Sequence, residues 1–145
     1  MSYADIEHTA VGTFHYNALG DWYDCDTTFR EQPLRIRIVP DEEGHLRNVL
    51  ERISSVLSEL ERLSVLAAEF AAERLLKTKN SLWLEANEAP FTEADFRAKL
   101  RLLVLVFYAD GGVDFIHLDG GMFKEHRVRV SMDSTDHFSD AEIPF

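Results

Sequence analysis

The hydrophobic pattern is clearest over residues 41–80, where apolar side chains recur every three or four positions. The apolar positions are Leu46, Val49, Ile53, Val56, Leu60, Leu63, Ala67 and Phe70. This period predicts one long helix with a stripe that faces a core. Asp41 is the expected N-cap, and Glu42 and Glu43 follow in the first turn, where negative charge suits the helix dipole.

The second half of this helix carries a further apolar stripe on another side. Its members are Val65, Ala68, Ala72 and Leu75. A helix that is apolar on two sides is packed on two sides. Either a neighbouring helix of the same chain covers this stripe, or a second copy of the chain does, which makes the protein a monomer or a homodimer. These four residues are therefore the candidate oligomer face.

Six segments have the pattern of β-strands. They cover residues 13–17, 22–29, 34–39, 102–108, 113–118 and 126–132. In the third segment Leu34, Ile36 and Ile38 alternate with Arg35 and Arg37, which is the pattern of an antiparallel sheet with one solvated face. These segments predict two groups of three strands on either side of the helical region.

A short helix is expected just before the fourth strand. Thr92 is its predicted N-cap, and Asp95 completes an acidic variant of the capping box. Phe91 and Phe96 occupy the two positions of a hydrophobic staple, and the helix is expected to end near Leu100.

The order of these segments predicts an α+β fold in a single domain over residues 1–145. The expected architecture is an antiparallel sheet of five or six strands, in the order βββ-αα-βββ, with the long helix packed across one face. Residues 1–11 are expected to form a loose lead-in, and residues 133–145 an acidic tail. The predicted core consists of Phe14, Ile36, Ile38, Leu46, Val49, Ile53, Leu60, Leu63, Phe70, Phe96, Val104, Val106, Phe115, Val128 and Val130.

Composition narrows the classes of partner. The chain of 145 residues has a formal net charge of −11, which disfavours binding to nucleic acid or to an anionic membrane and suits a basic protein partner. No segment approaches the roughly 20 apolar residues that span a bilayer. One cysteine and the lack of a signal-peptide pattern predict a cytoplasmic protein.

Catalytic and cofactor motifs are absent from the sequence, so no catalytic, cofactor-binding or metal-binding residue is assigned. Cys25 lies between Asp24 and Asp26, and a nucleophilic cysteine needs a nearby cation or a helix N-terminus rather than carboxylates. Asp21, Asp24 and Asp26 have the oxygen ligands that calcium or magnesium prefers, but not the spacing of a calcium loop. A small core cysteine and a solvated strand edge are the simpler interpretations.

Outward-facing residues of the predicted strands define a candidate partner-binding face. Its members are Trp22, Asp24, Asp26, Arg35, Arg37, Arg127 and Arg129. Arginine and tryptophan commonly anchor protein interfaces. The alternative is a solvated face on which arginines and aspartates pair across strands.

Several positions together resemble an uncharacterised bacterial family of the domain-of-unknown-function type. They are the sequence Ala-Ala-Glu-Arg-Leu-Leu at 71–76, Asn80, Trp83, Thr92, Glu93, Phe96, Leu100, the strand at 103–107, and Phe123, His126, Val128 and Val130. The resemblance spans residues 12–132 and implies no catalytic residue. Some similar small acidic domains occur as immunity proteins beside bacterial toxins, so the resemblance also implies an immunity-like role.

The leading hypothesis from the sequence is a cytoplasmic, non-catalytic protein-binding module that covers a basic partner, with an immunity-like role as its more specific form. One alternative is a small enzyme that uses Cys25 or an Asp/His cluster. Another alternative is a structural subunit that dimerises through the long helix.

Overall fold

The computed structural model describes residues 4–41 and 46–144, which form eight strands and three helices. The strands are β1 (Ile6–His8), β2 (Gly12–Asn17), β3 (Trp22–Phe29), β4 (Gln32–Val39), β5 (Arg101–Tyr108), β6 (Val113–Leu118), β7 (Val128–Met132) and β8 (Phe138–Glu142). The helices are α1 (Arg47–Ser58), α2 (Leu60–Leu82) and α3 (Glu93–Lys99).

The eight strands form one sheet in which the order in space follows the order in the chain. Neighbouring strands are antiparallel, except that β4 and β5 are parallel. Parallel neighbours need a long crossover, and all three helices lie in that connection. The mixed α+β content is confirmed, whereas the predicted count of five or six strands, the wholly antiparallel pairing and the βββ-αα-βββ order are wrong.

The two strands that the sequence pattern missed lie at the two edges of the sheet. β1 falls in the predicted lead-in and pairs with β2. β8 falls in the predicted acidic tail and pairs with β7, so that Ala141 lies beside Val130. The Phe138 ring lies 5.6 Å from the Phe115 ring, measured between centroids. The tail is therefore part of the sheet and of its core.

The predicted single long helix is two helices that are separated at Glu59. Glu59 has φ −112° and ψ 10°, and its backbone N–H donates to the Val56 carbonyl at 3.1 Å. α1 packs on β5, whereas α2 packs on β7 and β8. The break at Glu59 therefore separates a helix that contacts the middle of the sheet from one that contacts its β7–β8 edge.

The start of the helical region also differs from the prediction. α1 begins at Arg47, and its N-cap position is Leu46, which makes no side-chain capping bond. Asp41 is thus not the N-cap of this helix. Glu42 and Glu43 lie outside the described residues.

The core lies between the helices and one face of the sheet. Ile36, Phe107 and Phe115 are fully buried there and meet Ile53 and Leu63 of the helices. Most predicted core residues are buried, and Leu46 and Phe70 pack on the core while partly exposed. Val104 and Val106 were predicted to lie in this core, but they project from the opposite face of the sheet.

Candidate functional site

The face of the sheet opposite the core carries six of the seven residues predicted to bind a partner. Asp24 lies opposite Arg37, and Asp26 lies opposite Arg35, in the register of β3 and β4. Trp22 begins β3 on the same side as Asp24, since alternate residues of a strand share a face. We call this helix-free side of the described sheet the open face.

The arginines of β4 are paired with the aspartates of β3. Arg37 Nε donates to Asp24 Oδ1 at 2.8 Å, and Arg35 Nε donates to Asp26 Oδ1 at 2.8 Å. The Arg37 guanidinium also lies 3.9 Å from the centroid of the Trp22 ring, and Trp22 Nε1 donates to Asp24 Oδ2 at 3.2 Å. This arrangement fixes the Trp22 side chain against two charged groups.

These pairs remove the net positive charge that the arginines would otherwise give the open face. The hydrogen bond from Arg35 lowers the pKa of the Asp26 carboxyl, so this group stays ionised beside its partner. Arg37 and Asp24 are the more buried pair, with 21% and 15% of their side chains exposed. Cross-strand Arg–Asp pairing, the alternative considered from the sequence, is the arrangement seen here.

Arg129 lies on the same face but three strands away. Register links Arg35 to Val104, Val104 to Ile116 and Ile116 to Arg129. Arg129 forms an ion pair with Glu142 of β8. Arg127 was predicted to lie in a strand, but it precedes β7 and is exposed, so this prediction is wrong. The arginines therefore flank the centre of the open face and do not form one patch.

An apolar strip occupies that centre. It consists of the partly exposed residues Leu103, Val104 and Ile116, which we call the central strip. A β-bulge between Leu102 and Val104 inserts Leu103 into β5. Leu103 and Val104 then line one side of a pocket of about 410 Å³, and Arg35 and Arg37 line the other.

Carboxylates without a cationic partner border the central strip. Asp114 accepts hydrogen bonds from the hydroxyls of Tyr108 and Ser131, both at 2.8 Å. Burial and the Asp114 carboxylate raise the pKa of Tyr108 to about 12. Asp140 lies opposite Ser131 and is exposed. Since neither aspartate has an ion-pair partner in the described part of the chain, this side of the open face is negatively charged.

The four residues of the candidate oligomer face have different environments. Ala72 is 0% exposed and Leu75 is 8% exposed, and α3 packs against α2. Val65 is 46% exposed, and Ala68 is partly exposed. Ala72 and Leu75 are thus already buried within the described chain, so the four residues do not form one open surface.

Cys25 has the environment of a core residue. Its side chain is 5% exposed, and Sγ donates to the Val11 carbonyl at 3.6 Å. Burial raises the pKa of the Cys25 thiol, and the charge of Asp26 raises it further. Both effects disfavour the thiolate that a nucleophile requires. Among residues 4–41 and 46–144, no three His, Cys, Asp or Glu side chains are grouped to hold a metal ion.

Several of the positions that carry the family resemblance lie around the connection between α2 and α3. The Trp83 ring lies 5.6 Å from the Phe123 ring and 5.9 Å from the His126 ring, between centroids. The Asn80 side chain accepts from the Phe91 N–H at 2.8 Å and donates to the Phe91 carbonyl at 2.9 Å. These contacts hold the connection against the loop between β6 and β7, so the residues have a structural role.

The structure also contains a cleft that the sequence pattern did not indicate. It lies on the helix-covered side, at the end of the sheet where β4 and β5 begin, and has a volume of about 270 Å³. Arg30, Arg97 and Arg101 line it. Arg30 is in the turn between β3 and β4, whereas Arg97 lies in the last turn of α3 and Arg101 is the first residue of β5. No local motif joins these positions, so only the fold brings them together.

Comparisons with known proteins place the chain in a family without assigning it an activity. None of the described helices is both long and apolar enough to cross a membrane. Searches of curated proteins and of solved structures give no significant match. Residues 8–143 match DUF2262, a family described as an uncharacterized protein conserved in bacteria. Because the match covers most of the chain, the protein belongs to the bacterial family DUF2262.

Proposed function

We propose that this protein is a cytoplasmic, non-catalytic binding module that docks a basic protein partner on its open face. The observation that carries the proposal is the central strip, an apolar surface that no helix of the described chain covers. The strip joins Val104 and Ile116 across two strands, with an ion pair at each end. An apolar centre with a charged rim is the usual anatomy of a protein interface.

Charge supports a basic partner. The chain carries a net charge of −11, and the arginines of the open face are already paired with carboxylates. Asp114 and Asp140 remain as uncompensated negative charges beside the central strip. A basic surface would satisfy them and would be attracted over a distance by the whole acidic protein.

Trp22 provides the aromatic anchor of the proposed interface. Its ring is held between the Arg37 guanidinium and the Asp24 carboxylate, so little side-chain entropy is lost when a partner contacts it. Rigid aromatic and arginine groups are enriched among the residues that dominate binding energy. An immunity-like role, in which the open face covers a basic toxin, is the specific form of this proposal.

Partner capture followed by variant analysis tests the proposal. Tagged protein is used to capture partners from a bacterial lysate, and each captured protein is purified and titrated by calorimetry. Val104→Lys places a cation in the central strip, and we expect it to weaken binding about tenfold or more. The matched control is Leu82→Lys at a residue that is 77% exposed at the end of α2, and it should bind as the wild type does.

Salt dependence supplies the second criterion. Raising the ionic strength from about 0.01 M to about 1 M shortens the Debye length from roughly 30 Å to roughly 3 Å. The affinity for a basic partner should fall over that range. A partner that binds Val104→Lys as tightly as the wild type, or that binds equally at both salt concentrations, would show that the open face is not a site for a basic protein.

A further inference from the structure

The cleft at the beginning of β4 and β5 combines an apolar wall with a cationic rim. The wall is formed by Phe29, Val65, Ala68, Leu100 and Leu102. Its volume of about 270 Å³ lies just below the range of roughly 300–1,000 Å³ found for small-molecule sites. The cleft is therefore suited in size to a small ligand.

The three arginines of the rim are neutralised to different degrees. Arg30 donates from Nε and Nη2 to Glu61 Oε2, at 3.0 and 2.7 Å. Arg97 Nη1 lies 3.8 Å from Glu93 Oε2, which is beyond hydrogen-bond length. These two arginines thus have one close and one loose carboxylate partner.

The partner of Arg101 among the described residues is neutral. Its Nη1 donates to the amide oxygen of Gln32 at 3.2 Å, and no carboxylate within residues 4–41 or 46–144 is in ion-pair contact with it. The Arg101 charge is therefore uncompensated, beside the loosely paired Arg97. A surplus of positive charge at a concave site is unusual in a protein with a net charge of −11.

The floor of the cleft adds no charge. His117 lines it and is 2% exposed, with Nδ1 at 3.3 Å from the Val128 carbonyl. Burial lowers the pKa of His117 to about 4, so the imidazole is neutral at physiological pH. The buried Ser64 hydroxyl donates to the Glu61 carbonyl at 3.1 Å. The cationic groups are thus confined to the rim, and the interior presents neutral and apolar groups.

We propose that this cleft binds a small organic anion with a carboxylate or phosphate head and an apolar body of about one ring. The head lies at Arg101 and Arg97, because guanidinium groups bind planar carboxylates and phosphates through two parallel hydrogen bonds. The apolar body lies against Val65 and Ala68. The cleft is on the helix-covered side of the sheet, so this site is separate from the open face.

Titration with four probes tests the proposed ligand class. Benzoate, phenyl phosphate, inorganic phosphate and benzyl alcohol are added to ¹⁵N-labelled protein, and amide chemical shifts are followed up to about 10 mM, which detects dissociation constants in the millimolar range. Benzoate or phenyl phosphate should shift amides around Arg101 and Val65. Benzyl alcohol lacks the anionic head, and inorganic phosphate lacks the ring. Each should therefore bind at least about tenfold more weakly than the better aromatic anion.

Two variants separate the contributions of the head and the body. Arg101→Gln removes the uncompensated charge and should weaken the better aromatic anion about tenfold or more. Val65→Trp fills the apolar side from an exposed position; it should abolish binding of the aromatic anion and leave inorganic phosphate unchanged. Arg62→Gln is the control, since it makes the same charge change at an exposed residue of α2 that pairs with Glu59.

The outcomes decide the proposal in either direction. Loss of the aromatic anion in Arg101→Gln and in Val65→Trp, with wild-type binding in Arg62→Gln, supports it. No amide shift with either aromatic anion overturns it. Equal binding of benzyl alcohol and benzoate, or equal effects of Arg101→Gln and Arg62→Gln, also overturns it.

Discussion

Lys79 is a charged residue in an almost fully buried position near the end of α2. Its side chain is 1% exposed, and Nζ donates to the Trp83 carbonyl and to Glu88 Oε1, both at 2.7 Å. Nζ also lies 4.8 Å from the centroid of the Phe91 ring. The ammonium group thus ties the helix to the connection that leads to α3.

We expect Lys79→Met to lower the free energy of unfolding by about 2 kcal/mol, because the Trp83 carbonyl loses its donor while the aliphatic stem is largely replaced. Lys79→Ala also leaves a cavity and should cost about 3–5 kcal/mol. Urea unfolding of the two variants measures both values. A Lys79→Met protein as stable as the wild type would show that the ammonium contributes nothing.

His117 makes the stability of the protein dependent on pH. Burial lowers the pKa of folded His117 from 6.5 to about 4, so between these values the unfolded chain binds a proton that the folded chain does not. The contribution is fully present above pH 6.5 and is lost as the pH falls toward about 4. The expected slope is roughly 1.4 kcal/mol per pH unit.

Urea unfolding at about pH 7, 6 and 5 measures this slope. His117→Gln should reduce it, whereas His137→Gln, at a side chain that is 80% exposed, should not. An NMR titration of the wild type gives an independent test, in which the His117 imidazole signals should stay constant over the same range. Protonation of folded His117 near pH 6.5 would contradict the prediction.

Residue patterns in the sequence predicted the open face but gave no indication of the arginine-lined cleft. Alternation in a strand places Asp26 and Arg35 on one face, so the sequence indicates their cross-strand pairing as one of two interpretations. Arg30 and Arg101 are separated by about half of the chain, and both line the cleft because β4 and β5 are parallel neighbours. Sequence spacing carries no information about such a contact.

At the scale of elements, the N-terminus of α3 is defined by a capping box. Thr92 Oγ1 accepts from the Asp95 N–H at 3.1 Å, and Asp95 Oδ2 accepts from the Thr92 N–H at 3.0 Å. This cap was predicted from the sequence and is confirmed. Two backbone donors of the first turn are thereby satisfied.

We expect Thr92→Ala to lower the free energy of unfolding by about 1 kcal/mol, since it removes the acceptor for the Asp95 N–H. Thr92→Ser retains a hydroxyl and should be within about 0.5 kcal/mol of the wild type. Chemical denaturation followed by circular dichroism distinguishes the two. Equal stability of all three proteins would indicate that packing alone holds α3 in place.

Elements with strong local signals were predicted with nearly correct bounds. β3 and β6 coincide with the predicted segments. β1 has only three residues, and β8 contains Ser139, Asp140 and Glu142, so neither has a regular apolar alternation. The break at Glu59 has no Gly or Pro to mark it, so no local signal in the sequence indicates it.

At the scale of the whole molecule, short strands protect the two edges of the sheet. β1 has three residues and β8 has five, and short edge strands limit pairing with other chains. β8 also places Phe138 over the core, with its ring 5.9 Å from the Phe70 ring. The last strand therefore closes the core and ends the sheet at the same time.

We expect a chain that ends at Asp133 to be destabilised and to associate, because β7 becomes an exposed edge and Phe115 loses its cover. Light scattering and thermal unfolding measure both effects. A chain that ends at Glu142 retains β8 and is the control, which should stay folded. A shortened chain ending at Asp133 with wild-type stability and size would contradict this role of β8.

The single parallel pair has a consequence for the folding pathway. Within each of the two runs β1–β4 and β5–β8, every strand pairs with its neighbour in the chain, so the contacts are local. In contrast, β4 and β5 pair only after some 60 residues are closed into a loop. The two runs should thus form first, and the seam between Ile38 and Phe107 last. In stopped-flow kinetics, Val130→Ala should then slow refolding, whereas Ile38→Val should mainly accelerate unfolding. The reverse pattern would mean that pairing of β4 with β5 nucleates the fold.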